Sequence, residues 1–155
     1  MDEAIAAALR FDEAVAYFPA PTLDRDDAWA RADRAVWAGH ASHVKNGQLS
    51  HADFFGCCIF DGSLSPALTD IVPAEGPRPY GYSAALTLID GLVAGAVDDA
   101  VLSRWSHIPD LLFLCDRALE YRTSLATTFG ADANVSSNID RVGSLLMSHR
   151  GATPV

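Results

Sequence analysis

Ala84-Ala85-Leu86-Thr87-Leu88-Ile89-Asp90-Gly91-Leu92-Val93-Ala94-Gly95-Ala96-Val97 is a nearly unbroken apolar run in which only Thr87 and Asp90 carry polar side chains. Spanning a bilayer takes about 20 apolar residues, so the run is too short and too interrupted to cross one. It is long for a strand and rich in Ala and Leu. It therefore reads as a helix buried around most of its circumference, and such a helix needs other helices to cover it. The expected fold is all-α: a single compact bundle of six or seven helices around a central helix at about 83–98. Residues 1–151 would form one domain and 152–155 a flexible tail.

Amphipathic segments on either side supply the covering helices. Ala4, Ala8, Phe11, Val15 and Phe18 recur at helical spacing after Asp2, and Pro19 and Pro21 end that segment near Tyr17. A second helix starts after Thr22 or Asp24, with Asp26 and Asp27 in its first turn and Trp29, Ala32, Val36, Trp37 and His40 along its apolar stripe. Asn46-Gly47 stops it. Ser50-His51-Ala52-Asp53 resembles a capping box, which predicts a third helix through Phe54, Phe55, Cys57, Cys58 and Phe60. A short helix is expected at 66–72, then a Pro- and Gly-rich loop from Pro73 to Tyr82. Ser83 is the expected cap of the central helix. Pro109 suits the first turn of the next helix, which carries Leu111, Leu112, Cys115, Ala118, Leu119 and Arg122 on one face and ends at Gly130. The last helix opens at Asn134 or Ser136 and closes at Gly151.

The 155-residue chain is half hydrophobic and one-fifth charged, the profile of a folded globular protein. Lys45 is its only lysine, and its Ala- and Arg-rich composition is that of a high-GC bacterial genome. A net charge of -9 argues against nucleic acid and against an anionic membrane surface as partners. The same charge either simply keeps the protein soluble or steers a basic protein partner toward the surface. Cys57, Cys58 and Cys115 form no disulfide framework, and the acidic start of the chain lacks the pattern of an export signal. A cytoplasmic location, with reduced thiols, is the expectation.

Three groups of residues are candidates for function. His40 and His43 share a helical face, with His51, Asp53, Cys57 and Cys58 downstream, but their spacing matches no standard zinc pattern, and neither metal nor cofactor is expected. Asp90, set in the apolar run, must be paired, hydrogen-bonded or neutral if it is buried. Arg117 or Arg122 would make it a structural ion pair, a cavity would make it a general base, and exposure would make it a narrow wet edge. The loop Glu75-Gly76-Pro77-Arg78-Pro79-Tyr80-Gly81-Tyr82 displays either a binding surface through Arg78, Tyr80 and Tyr82 or a rigid crossover folded onto the bundle. No dinucleotide, phosphate-loop or nucleophile-elbow signature occurs.

The segment Tyr80-Gly81-Tyr82-Ser83-Ala84-Ala85-Leu86-Thr87-Leu88-Ile89-Asp90 resembles a family of uncharacterised all-helical bacterial proteins. In that family a tryptophan-bearing helix, matched here by Trp29 and Trp37, precedes a Tyr-, Ala- and Leu-rich central helix. The resemblance assigns no catalytic residue. The small, acidic, motif-free helical profile is also similar to the immunity proteins that protect bacteria from their own toxins by occlusion. It implies a cytosolic inhibitor with Asp24, Asp26, Asp27, Asp98 and Asp99 meeting a basic partner, and Arg78, Tyr80 and Tyr82 as anchors. A small helical enzyme or ligand-binding domain with a pocket at Asp90, His40 and His43 is one alternative. A homodimeric structural subunit is another, so the chain is expected to be a monomer or a homodimer.

Overall fold

The computed structural model describes residues 1–16, 24–44, 47–62 and 64–151. Six α-helices make up most of it: α1 (Asp2–Ala14), α2 (Ala28–Trp37), α3 (Tyr82–Val93), α4 (Val101–Arg104), α5 (Leu111–Phe129) and α6 (Ala133–Gly151). One 3-10 turn, Ala41–His43, follows α2, and two short strands, β1 (Cys58–Ile59) and β2 (Ala67–Leu68), pair antiparallel. The all-helical bundle expected from the apolar run is what forms. The expected ends near Tyr17, Phe18, Pro19, Pro21, Thr22 and Asn46, and the tail at 152–155, lie outside the described residues.

The apolar run lies at the centre. Every residue from Tyr82 to Leu92 is buried except Asp90, which is half-buried. α1, α5 and α6 pack directly on α3, and α2 packs on α5. Ile5 and Ala8 from α1, Leu114, Cys115 and Ala118 from α5, and Val142 and Leu146 from α6 join α3 in one hydrophobic core. Burial pushes the Cys115 thiol up to about 12, so it behaves as a small apolar side chain.

The central helix is shorter than the expected 83–98. It stops at Val93 because Gly95 adopts φ +66° and turns the chain. The Gly95 amide donates to Leu92 O (3.1 Å) and the Ala96 amide to Gly91 O (2.8 Å), the two bonds of a Schellman cap. At the other end Gly81, at φ +89°, occupies the cap position assigned to Ser83. A Cβ at Gly81 would meet Ile108 Cγ2 at 2.7 Å, so glycine is required there for space as well as for conformation.

The largest departure lies between α2 and α3. The helices expected at Phe54–Phe60 and at 66–72 are absent, and turns and the β1–β2 hairpin take their place. The capping box of Ser50 and Asp53 does not form: the buried Ser50 hydroxyl has no partner among the described residues, and the Asp53 amide donates to His51 Nδ1 (3.2 Å). The Thr69 amide and hydroxyl both reach Cys57 O, at 2.8 and 2.9 Å. Side chains decide the matter: Phe54 and Cys57 are buried while Phe55 and Ile59 are exposed. The aromatic density here therefore supports an irregular layer stapled onto α1 and α3. α5 also differs, opening at Leu111 rather than at Pro109, with Asp110 as its N-cap residue.

Leu88 is fully enclosed on α3. Leu88→Ala should lower the free energy of unfolding by about 2–5 kcal/mol, read from urea denaturation midpoints, because the tightly surrounded helix cannot collapse into the void.

Candidate functional site

Two buried polar networks hold the irregular segment 47–81 in place. In the first, Arg78 Nη2 meets Asp33 Oδ2 at 2.7 Å, with both side chains almost wholly inaccessible. Arg78 also donates to Pro77 O (2.8 Å) and Glu75 O (2.7 Å), and its guanidinium lies 5.1 Å from the Trp37 ring centroid. The backbones of Arg78 and Gln48 exchange two hydrogen bonds of 2.9 Å. In the second network, the His51 amide donates to Ser83 Oγ (2.8 Å) and the Ser83 hydroxyl donates to Asp12 Oδ1 (2.6 Å). The Gln48 side-chain amide donates to the backbone carbonyl of the same Asp12 (2.7 Å).

Asp12 lies on α1 against the first turn of α3. Burial pushes its carboxyl up to about 7, against the lowering effect of the Ser83 hydroxyl and the backbone amides that open α3. His51 is shifted down by burial, so its ring is neutral, with Nε2 3.0 Å from Asp70 O and Nδ1 accepting from Asp53. These groups are spent on joining α1, α3 and the segment between α2 and α3.

The loop candidates divide. Arg78 and Tyr82 are buried, which corrects their assignment as surface anchors: Arg78 neutralises Asp33, and Tyr82 packs edge-on to Trp37 at 5.0 Å. The crossover alternative describes both. Tyr80 remains half-exposed, with its hydroxyl donating to Glu13 at 3.2 Å.

Asp90 is an ion pair. Arg122 grips both of its oxygens, Nε to Oδ1 and Nη2 to Oδ2, each at 2.6 Å, and also donates to Ala52 O (3.1 Å). Burial raises the Asp90 carboxyl and the Arg122 guanidinium opposes that rise. Among the described residues, Asp90 and the two histidines are engaged separately, and none of the five pockets described is lined by Asp90. Asp90 is held by Arg122, whereas His40 Nε2 accepts from Arg117 Nη1 (3.2 Å) and His43 stacks on Phe113 at 4.1 Å. No cluster of three or more His, Cys, Asp or Glu side chains with metal-binding geometry occurs among the described residues.

Four of the five surface acids are tied to arginines of the same chain. Asp26 pairs with Arg34 and Asp98 with Arg104, at 2.8 and 2.7 Å. Asp99 pairs with Arg141 at 2.8 Å, and Asp27 caps α2 through the Ala30 amide while holding Arg25. Asp24 is exposed and has no ion pair among the described residues.

Several open pockets occur among the described residues, and one of them, a small one, lies where the Pro79–Tyr80 turn meets the start of α5. It measures about 160 Å³ and is lined by His43, Pro79, Tyr80, Pro109, Asp110, Phe113 and Leu114. Two residues singled out in the sequence, Tyr80 and His43, thus meet across elements far apart in the chain. Asp12, Asp33 and Asp110 were not singled out. Asp12 continues the buried Ala4–Ala8 stripe at a spacing of four, and Asp33 sits four residues from both Trp29 and Trp37. A carboxylate on an apolar stripe was the available signal for both. No known protein family, curated protein or solved structure matches the chain.

Removing the arginine from a buried pair strands the acid, so Arg78→Ala should cost about 3–5 kcal/mol in chemical denaturation, and Tyr80→Ala a small fraction of that. Asp12 adds a pH dependence of defined sign. In the unfolded chain it ionises near its ordinary value of about 3.8, and in the folded chain at about 7. Its contribution to stability is therefore complete below about pH 4 and is lost as pH rises to about 7, at up to about 1.4 kcal/mol per pH unit. Asp12→Asn should fold and should flatten the unfolding free energy over that pH range relative to the parent.

Proposed function

We propose that the protein is a binding protein of the immunity or inhibitor type, acting in the bacterial cytosol by covering a basic protein partner. The observation that carries this reading is the distribution of its positive charge. Nine of its arginines, Arg25, Arg31, Arg34, Arg78, Arg104, Arg117, Arg122, Arg141 and Arg150, are engaged in ion pairs within the chain. Against a total of 11 basic and 20 acidic residues, the carboxylate excess is left with almost no counter-charge. Glu3, Asp24, Asp61, Asp70, Asp132 and Asp140 are exposed with no ion pair among the described residues.

A surface of that kind attracts cations over a Debye length and raises association rates with a basic protein. The acids already paired, Asp26, Asp27, Asp98 and Asp99, are available to it as well. Exposed pairs contribute about 0–1 kcal/mol, so a partner's arginine can exchange into them with little loss. Occlusion needs no catalytic group. No described helix is long and apolar enough to cross a membrane.

Capture of the tagged protein from its native host extract should return one stoichiometric basic protein that salt releases. With that protein purified, the association rate should fall steeply with ionic strength while dissociation changes little. A salt-independent association rate would overturn the electrostatic reading.

A further inference from the structure

We propose that the pocket at the start of α5 receives an arginine side chain of the basic partner. This deepens the binding reading above and rests on it. At about 160 Å³ the pocket matches one side chain, and is smaller than the roughly 300–1,000 Å³ of sites that enclose a metabolite. Its walls supply the two things that a guanidinium recognises: aromatic faces and a free carboxylate.

The aromatic faces are Tyr80 and Phe113. Pro79 and Pro109 stand beside them, and their fixed φ angles leave little conformational freedom to lose on binding. The carboxylate is Asp110. It is exposed, forms no ion pair among the described residues and accepts no capping hydrogen bond from the amides of its own helix, although it occupies the N-cap position of α5. Its backbone is held at φ +55°, the one positive φ of a non-glycine residue among those described and a conformation that Asp adopts more readily than most side chains, and it forms part of the pocket wall. Glu13 adds a second negative charge next to one lining residue, accepting the hydrogen bond of the Tyr80 hydroxyl at 3.2 Å.

Among the described residues, the charges that oppose a cation here are small or cancelled. Arg117, 5.8 Å from the Phe113 ring centroid, is neutralised by Glu120 at 2.6 Å. The positive end of α5 amounts to about half a charge, less than the full charge of Asp110. His43 already stacks on Phe113, leaving the Tyr80 ring as the face for the guanidinium. The chain uses the same contact internally, with Arg78 over Trp37 and Arg122 over Tyr121 at 5.1 and 5.3 Å.

The test is an NMR titration of the full-length protein with Nα-acetyl-arginine methylamide, using the uncharged citrulline analogue as control. Saturable shifts of the Tyr80 and Phe113 ring signals are expected with arginine, and binding at least about tenfold weaker with citrulline. Asp110→Asn, whose new side chain tolerates the same left-handed backbone, should weaken arginine binding by about tenfold or more. Tyr80→Leu should weaken it while leaving Asp110 in place. Absence of saturable shifts, equal binding of citrulline, or unchanged binding by Asp110→Asn would overturn the proposal. The titration uses no partner protein, so the two readings fail separately. A partner that associates in a salt-dependent way equally with the parent and with Asp110→Asn overturns the pocket and leaves the binding function. Arginine seated in the pocket with no basic partner captured does the reverse.

Discussion

Arg78 is the residue through which the irregular part of the molecule is fastened to its helices. Its ion pair with Asp33 reaches across to α2, and its backbone bridge to Gln48 aligns the start of the segment with its end. Gln48 in turn binds Asp12 O on α1, and Ser83 links Asp12 to His51. A segment with little regular structure must satisfy its backbone groups some other way, and here buried side chains do it. A buried ion pair is weak evidence for net stability, since well-packed apolar residues often do as well. Its geometric demand is what matters: a guanidinium with four partners fits one arrangement of the 75–78 turn against α2.

Arginine is used throughout the chain to neutralise acids on neighbouring elements. Arg122 binds Asp90 of α3 from α5, Arg104 binds Asp2 of α1, and Arg141 of α6 binds Asp99. Because the positive charges are consumed this way, the surplus of carboxylates dominates the field around the protein. The pocket beside Tyr80 sits within that field. It offers a local contact with geometry, which a diffuse negative surface by itself lacks, and so couples steering to recognition.

The helices were legible from periodicity and from their stops. The apolar run could only be a helix with others around it, Gly130 ended α5 as a left-handed cap, and Gly151 closed α6. The pairing of Asp90 with an arginine was one of three outcomes the sequence left open, and packing of α5 on α3 selected Arg122 from the two candidate arginines. The stretch Phe54–Phe60 was misread because apolar clustering records burial and says little about local conformation. Five aromatic and sulfur-bearing side chains in a row of turns pack as well as on a helix, and the alternation of buried Phe54 with exposed Phe55 came from contacts distant in sequence.

Composition and pattern alone therefore established the helical class, the central helix, the acidic character and the loop before α3 as a place of interest. Each of these depends on residue type and on spacing within one segment. Whether Arg78 faced water or Asp33, and whether Tyr80 and Tyr82 shared a role, depended on residues some 45 positions away in the chain. Tyr82 falls inside the first turn of a helix buried on nearly every side, while Tyr80, two residues earlier, lies outside it beside Phe113 and Asp110. That separation exists only once α3 and α5 are packed, because burial is a property of the assembled core and not of any one stretch of chain.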